Sequence, residues 1–161
     1  MSNFSVSVVP EGGSESTRAI CLSATSAPTA TSASAWIAVR QQIATKRYRD
    51  RRVAFSVWLK GVEVGDKAFP WLRVDNALGQ KTAYIGCWEA PAFVVTGSTT
   101  WLERKLVVDV PAHSASIEFG VTLNGAAGAV FASRMAFGET AEPLTALRTI
   151  TAEAPENLDL A

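Results

Sequence analysis

The feature that most constrains this chain is an alternation of apolar and polar residues with a period of two. It recurs from end to end, with almost no helical periodicity beside it. Successive side chains of a strand point to opposite faces, so a segment patterned this way buries one complete face only as a strand. Residues 51–60 are the fullest case: Val53, Phe55, Val57 and Leu59 fall on one face, and Ala54, Ser56 and Trp58 on the other. The same reading gives strands at 4–9, 18–24, 36–44, 69–75, 82–85, 102–110, 116–123 and 128–137. An edge strand is expected at 91–96, where Pro91 cannot donate to a central ladder. Clusters of Gly, Pro, Ser and Asn separate these segments. Eight to ten short strands at this spacing predict an all-β fold, a two-sheet antiparallel β-sandwich of the jelly-roll kind.

Length and composition agree with that class. A chain of 161 residues makes one ordinary domain with a sizeable core. Hydrophobic residues make up 48% and charged residues 19%, below the roughly 25% typical of soluble domains. Two sheets sharing a core suit that balance, as does a buried interface in a homodimer. The domain is expected over 1–138, followed by an extended C-terminal tail over 139–161 that holds two prolines and no strong period. Residues 23–34, rich in Ser, Thr and Ala, read as an exposed loop. Fifteen basic and fifteen acidic residues cancel, so no global field draws the chain to nucleic acid or to an anionic membrane. Two cysteines, Cys21 and Cys87, make no disulfide framework and are expected to be free and buried. With no leader pattern and no run near the ~18 apolar residues of a membrane span, the expected location is cytoplasmic.

Several phrases together resemble a group of small bacterial jelly-roll domains with the galactose-binding-like, carbohydrate-binding-module-like fold. They are Gln41 with Tyr48-Arg49 and Arg52-Val53, then Trp71-Leu72-Arg73-Val74-Asp75, Gly97-Ser98-Thr99-Thr100-Trp101, Val107-Val108-Asp109-Val110-Pro111, and Phe119-Gly120 leading to Leu123 and Gly125. The resemblance covers roughly residues 41–137. It implies a jelly roll that holds a carbohydrate or a small hydrophobic molecule on an aromatic concave face. Two departures bear on function. Tyr84-Ile85-Gly86-Cys87 stands where the family has a Phe-Asp-Asn-Met-like phrase, and Phe131-Ala132-Ser133-Arg134 where it has a Trp-x-Asp-Asp-like one. Two carboxylate positions of the family are thereby absent, which argues against a calcium or polar sugar site at those places.

The basic run Arg47, Arg49, Arg51 and Arg52 suggests an anion patch at first sight, but strand alternation divides it and favours a solvated turn. Among five tryptophans, Trp58 is the leading ligand platform, with Trp71 and Arg73 sharing one face of the following strand. Glu118, Thr122 and Asn124 share a face opposite an apolar set, and Arg134 lies on the polar face of the last strand. If the strands adjoin, these groups converge beside Trp58, and Glu118 becomes a candidate catalytic acid or base should burial raise its pKa. His113 is the only histidine, which excludes a His-centred triad or a multi-histidine metal site. No metal site and no cofactor are expected. Three functions follow: a carbohydrate- or small-molecule-binding module, a cofactor-independent cyclase or isomerase working in an aromatic pocket with one acid, and a non-catalytic homodimeric interaction protein.

Overall fold

A computed structural model describes residues 4–10, 12–25 and 35–146. Over these the alternating segments form ten strands: β1 (Phe4–Val9), β2 (Ala19–Thr25), β3 (Trp36–Ala44), β4 (Arg51–Val62), β5 (Val64–Asn76), β6 (Lys81–Ile85), β7 (Val95–Gly97), β8 (Leu102–Val110), β9 (Ser114–Asn124) and β10 (Ala127–Glu139). One sheet has the order β1-β2-β10-β4-β8 and the other β3-β9-β5-β6, with β7 also pairing β5. Every ladder is antiparallel. This is the all-β sandwich that the period of two predicts.

The core is the apolar half of that alternation. Val53, Phe55, Val57 and Leu59 of β4 are fully buried and pack with Leu72 and Val74 of β5 and with Ile117, Val121 and Leu123 of β9. Each fully buried side chain of this size contributes roughly 1.5–3 kcal/mol relative to exposure. Phe55, Phe119 and Phe137 form a continuous aromatic contact, the last two stacked at 4.7 Å between centroids. Cys21 and Cys87 are free but half-buried rather than buried. Burial still raises the Cys21 thiol above its ordinary pKa, partly offset by a hydrogen bond with Ser7.

Two elements differ from expectation. The expected strands 51–60 and 69–75 are longer than their patterns: β4 runs on to Val62 and β5 starts at Val64, so Glu63 alone, with φ of 50°, turns the chain from one sheet into the other. Gly128 makes room for this corner, since a Cβ there would collide with the Glu63 carbonyl. Residues 91–96 are not one edge strand. Pro91–Phe93 forms a 3-10 turn, where a missing donor costs nothing, and β7 follows with only three residues. Pro70 is accommodated inside β5 because it lies where that strand has left β7 and has not yet met β6.

The last strand ends at Glu139, and residues beyond it run back along the first sheet. Thr140 donates its N–H to the Arg52 carbonyl, and Thr145 donates to the Val107 carbonyl while its Oγ1 accepts from the Val107 N–H at 2.7 Å. Residues 147–161 of the expected tail, and 26–34 of the expected loop, lie outside the described residues.

Candidate functional site

The polar half of the alternation decorates the two outer faces of the sandwich, and the sheet order decides which residues meet. On the outer face of the β3-β9-β5-β6 sheet, the register sets Trp36, Asn124 and Lys67 in one row and Ala38, Thr122 and Phe69 in the next. Arg40, Gly120 and Trp71 follow, then Gln42, Glu118, Arg73 and Tyr84. Across these rows lies an open groove of about 510 Å³, lined by Trp36, Phe69, Trp71 and Tyr84 together with Arg40, Arg73, Glu118, Thr122 and Asn124. That volume falls within the range of roughly 300–1,000 Å³ usual for small-ligand sites.

Gly120 lies between Arg40 and Trp71 in the middle row of this face. A Cβ at that position would collide with the Val39 carbonyl oxygen of the neighbouring strand, so β3 approaches β9 there only because no side chain intervenes. The Trp71 indole is fixed by its own polar handle: Nε1 donates to Thr122 Oγ1 at 3.0 Å. Arg40 Nη1 donates to Glu118 Oε1 at 2.6 Å, and the Glu118 side chain is 15% exposed. Arg73 Nε donates to both oxygens of Asp75, at 2.8 and 2.9 Å. The Tyr84 phenol is pushed above the ordinary tyrosine range, first by burial and then by Glu89 and Cys87, with Arg73 pulling it partly back. It therefore remains a neutral O–H donor across ordinary pH. Two tryptophans are exposed: Trp36 of β3, which lines the groove, and Trp88 in the turn after β6, which lies under Lys67 Nζ at 4.9 Å.

Five of the expected residues come together here: Trp71, Arg73, Glu118, Thr122 and Asn124. Trp58 and Arg134 do not join them. Both belong to the first sheet and lie on its outer face, where Arg134 caps the Trp58 ring at 5.6 Å and pairs with Glu15 at 2.9 Å. The expected convergence beside Trp58 is thus corrected: β4 pairs β8 and β10, not β5 or β9, so the whole core separates Trp58 from Glu118. Arg134 is further displaced by a bulge, with φ of 51° at Arg134 and a register shift between Ser133 and Ala136. Sequence reasoning missed Trp36, Arg40, Phe69 and Tyr84 as groove residues. The signal for Trp36 and Arg40 lies in the polar face of β3, which the alternation reveals, but only the β3–β9 pairing connects that face to the site.

The basic run is divided as expected: Arg47 and Arg49 lie in the turn before β4, and Arg51 and Arg52 are the first two residues of that strand. Buried Thr45 donates Oγ1–H to the Ser114 carbonyl, and Tyr48 and Arg49 N–H groups bond to the Thr45 carbonyl. Arg49 Nε also bonds the Ser114 carbonyl, and Arg52 pairs with Asp109 at 2.7 Å. Among the described residues no three His, Cys, Asp or Glu side chains converge as metal ligands, and no helix is long and apolar enough to cross a membrane.

No family model matches this chain. It is similar to the uncharacterized HTH-type transcriptional regulator YbfP of Bacillus subtilis (strain 168), at 35% identity over 102 residues. That match covers 63% of this chain, and the chain spans about a third of the regulator's length. Among solved structures, a family 16 carbohydrate-binding module is similar with a TM-score of 0.59 at 17% identity, over 85% of this chain and 87% of that one. A xylan-binding domain of carbohydrate-binding-module family 22 is similar with a TM-score of 0.60 at 10% identity, over 88% of this chain and 85% of that one. The chain has the jelly-roll fold of the carbohydrate-binding modules.

Proposed function

We propose that the protein binds a carbohydrate in the groove on the outer face of the β3-β9-β5-β6 sheet. The observation that carries this reading is that the groove combines aromatic side chains with polar groups held by their neighbours. A sugar ring offers an apolar face of C–H groups and an equatorial rim of hydroxyls, so its recognition needs both. Trp71 and Tyr84 supply the flat surfaces. Arg40 and Arg73 are oriented by Glu118 and Asp75. The Asn124 amide, the Tyr84 hydroxyl and the second oxygen of Glu118 make no hydrogen bond among the described residues, so they are available to sugar hydroxyls. Because all of these groups sit on paired strands, little ordering is needed on binding. The likeness to carbohydrate-binding and xylan-binding modules supports the same reading.

Isothermal titration with xylan- and β-glucan-derived oligosaccharides tests it. Saturable binding is expected, with an affinity loss of about tenfold or more in Trp71→Ala, equivalent to about 1.4 kcal/mol. Absence of binding to every glycan, or full binding by Trp71→Ala, rejects the site.

A second reading keeps this site and changes its purpose. The 35% identity to a transcriptional regulator three times the span of the match favours a sensory module, in which sugar occupancy is reported to a neighbouring domain. Its ligand is then a free mono- or oligosaccharide rather than a polymer, and titration with short and long glycans separates the two purposes.

A further inference from the structure

The chain is neutral as a whole, with fifteen basic and fifteen acidic residues, yet its charges are not evenly spread. The groove face carries Arg40, Lys67, Arg73 and Lys81. Its two carboxylates, Glu118 and Asp75, are each bonded to an arginine of the same face. Among the described residues the two lysines make no ion pair and instead lie against rings, Lys67 over Trp88 and Lys81 over Tyr84, both at 4.9 Å. Lys81 opposes Asp75, which pairs Ser116, and Ser116 in turn pairs Ala44, the last residue of β3. The turn that begins at the next residue, with the first residue of β4, adds Lys46, Arg47, Arg49 and Arg51, all exposed, against the single carboxylate of Asp50. With Glu89 counted at the β6 end, eight cations stand against four carboxylates along one continuous path from groove to turn.

We infer that the preferred ligand is an acidic glycan, one whose sugars carry carboxylate or sulfate groups, lying in the groove and extending over residues 45–51. This inference rests on the carbohydrate reading of the groove and narrows it. An ammonium held at the face of an aromatic ring sets a cation beside a stacking surface, so a sugar packed there brings its acidic substituent within reach of the lysine. The exposed cations beyond the groove, none of them in an ion pair among the described residues, add attraction for the next anionic unit, at a range limited to about a Debye length. The neutral total charge keeps this preference local, which distinguishes it from the general stickiness of a basic protein for polyanions.

The test is titration of the intact protein with a galacturonate hexamer, a sulfated hexasaccharide, xylohexaose and a short DNA duplex, at about 20 mM and about 300 mM NaCl. At the lower salt one acidic hexamer is expected to bind at least about tenfold more tightly than xylohexaose, and to lose about tenfold or more at the higher salt. The variant carrying Lys46→Ala, Arg47→Ala and Arg51→Ala, all outside the groove, is expected to lose that preference while binding xylohexaose as before. Their positions are exposed, so circular dichroism is expected to report an unchanged fold. Equal or tighter binding of xylohexaose overturns this inference and leaves the groove reading standing. Tighter binding of DNA than of either acidic hexamer overturns it in favour of a nucleic-acid surface. Binding of no glycan overturns the groove reading and this inference together.

Discussion

Tyr84 is the residue where burial and chemistry meet most directly. Its phenol is half-buried, and the Glu89 and Cys87 neighbours add to the desolvation that already disfavours the phenolate. A raised pKa in the folded state means that folding favours the protonated form, so the stabilising difference is present below the unfolded value of about 10 and is lost as pH rises through the folded one. The chain has two tyrosines, Tyr48 and Tyr84. Absorbance titration is therefore expected to show a component ionising above the ordinary tyrosine range, and Tyr84→Phe is expected to remove it. A titration in which that component survives Tyr84→Phe would assign it to Tyr48 instead. Tyr84 was invisible as a site residue because a tyrosine in a five-residue strand carries no mark of which neighbour it faces. Trp71, Arg73, Thr122 and Asn124 were legible because alternation set each of them opposite a continuous apolar set.

At the scale of elements, the strand edges are managed by what lies against them. The outer edge of β8 is covered by the segment after β10, through a reciprocal pair of bonds between Thr145 and Val107. Covering an edge in this way hides backbone groups that would otherwise pair with another chain. Thr145→Val keeps the shape and the backbone donor but leaves the Val107 N–H without its acceptor. A destabilisation of about 1–2 kcal/mol is expected in urea unfolding, with faster amide exchange at Val107. Unchanged exchange at Val107 would show that this cover is not what protects the edge. Sequence located nearly every strand because turn clusters bracket the alternation. It misread the corner at Glu63 because a single non-glycine residue in the left-handed region leaves no compositional signal, and it misread residues 91–96 because a proline marks a turn start and an edge strand equally well.

At the scale of the whole molecule, the sheet that a strand joins decides which outward side chains meet. The face of a strand can be read from its own residues, but the sheet it joins depends on partners far away in the chain. That is why Trp58 was assigned to the wrong side of the sandwich while its alternation was read correctly. The two outer faces are expected to be separable by mutation. Trp58→Ala removes a half-buried ring and its contact with Arg134, at a cost of about 1–3 kcal/mol in stability, yet is expected to leave glycan affinity unchanged. A loss of affinity in Trp58→Ala equal to that in Trp71→Ala would place the ligand on both faces. One property of the groove has a kinetic consequence. The aromatic groups and the charge pairs within it belong to the rows of the β3-β9-β5-β6 sheet, so among the described residues none has to be carried into place by a loop. Association is then expected in a single step at about 10⁵–10⁷ M⁻¹s⁻¹, without gating, so that differences between ligands are expressed as residence time.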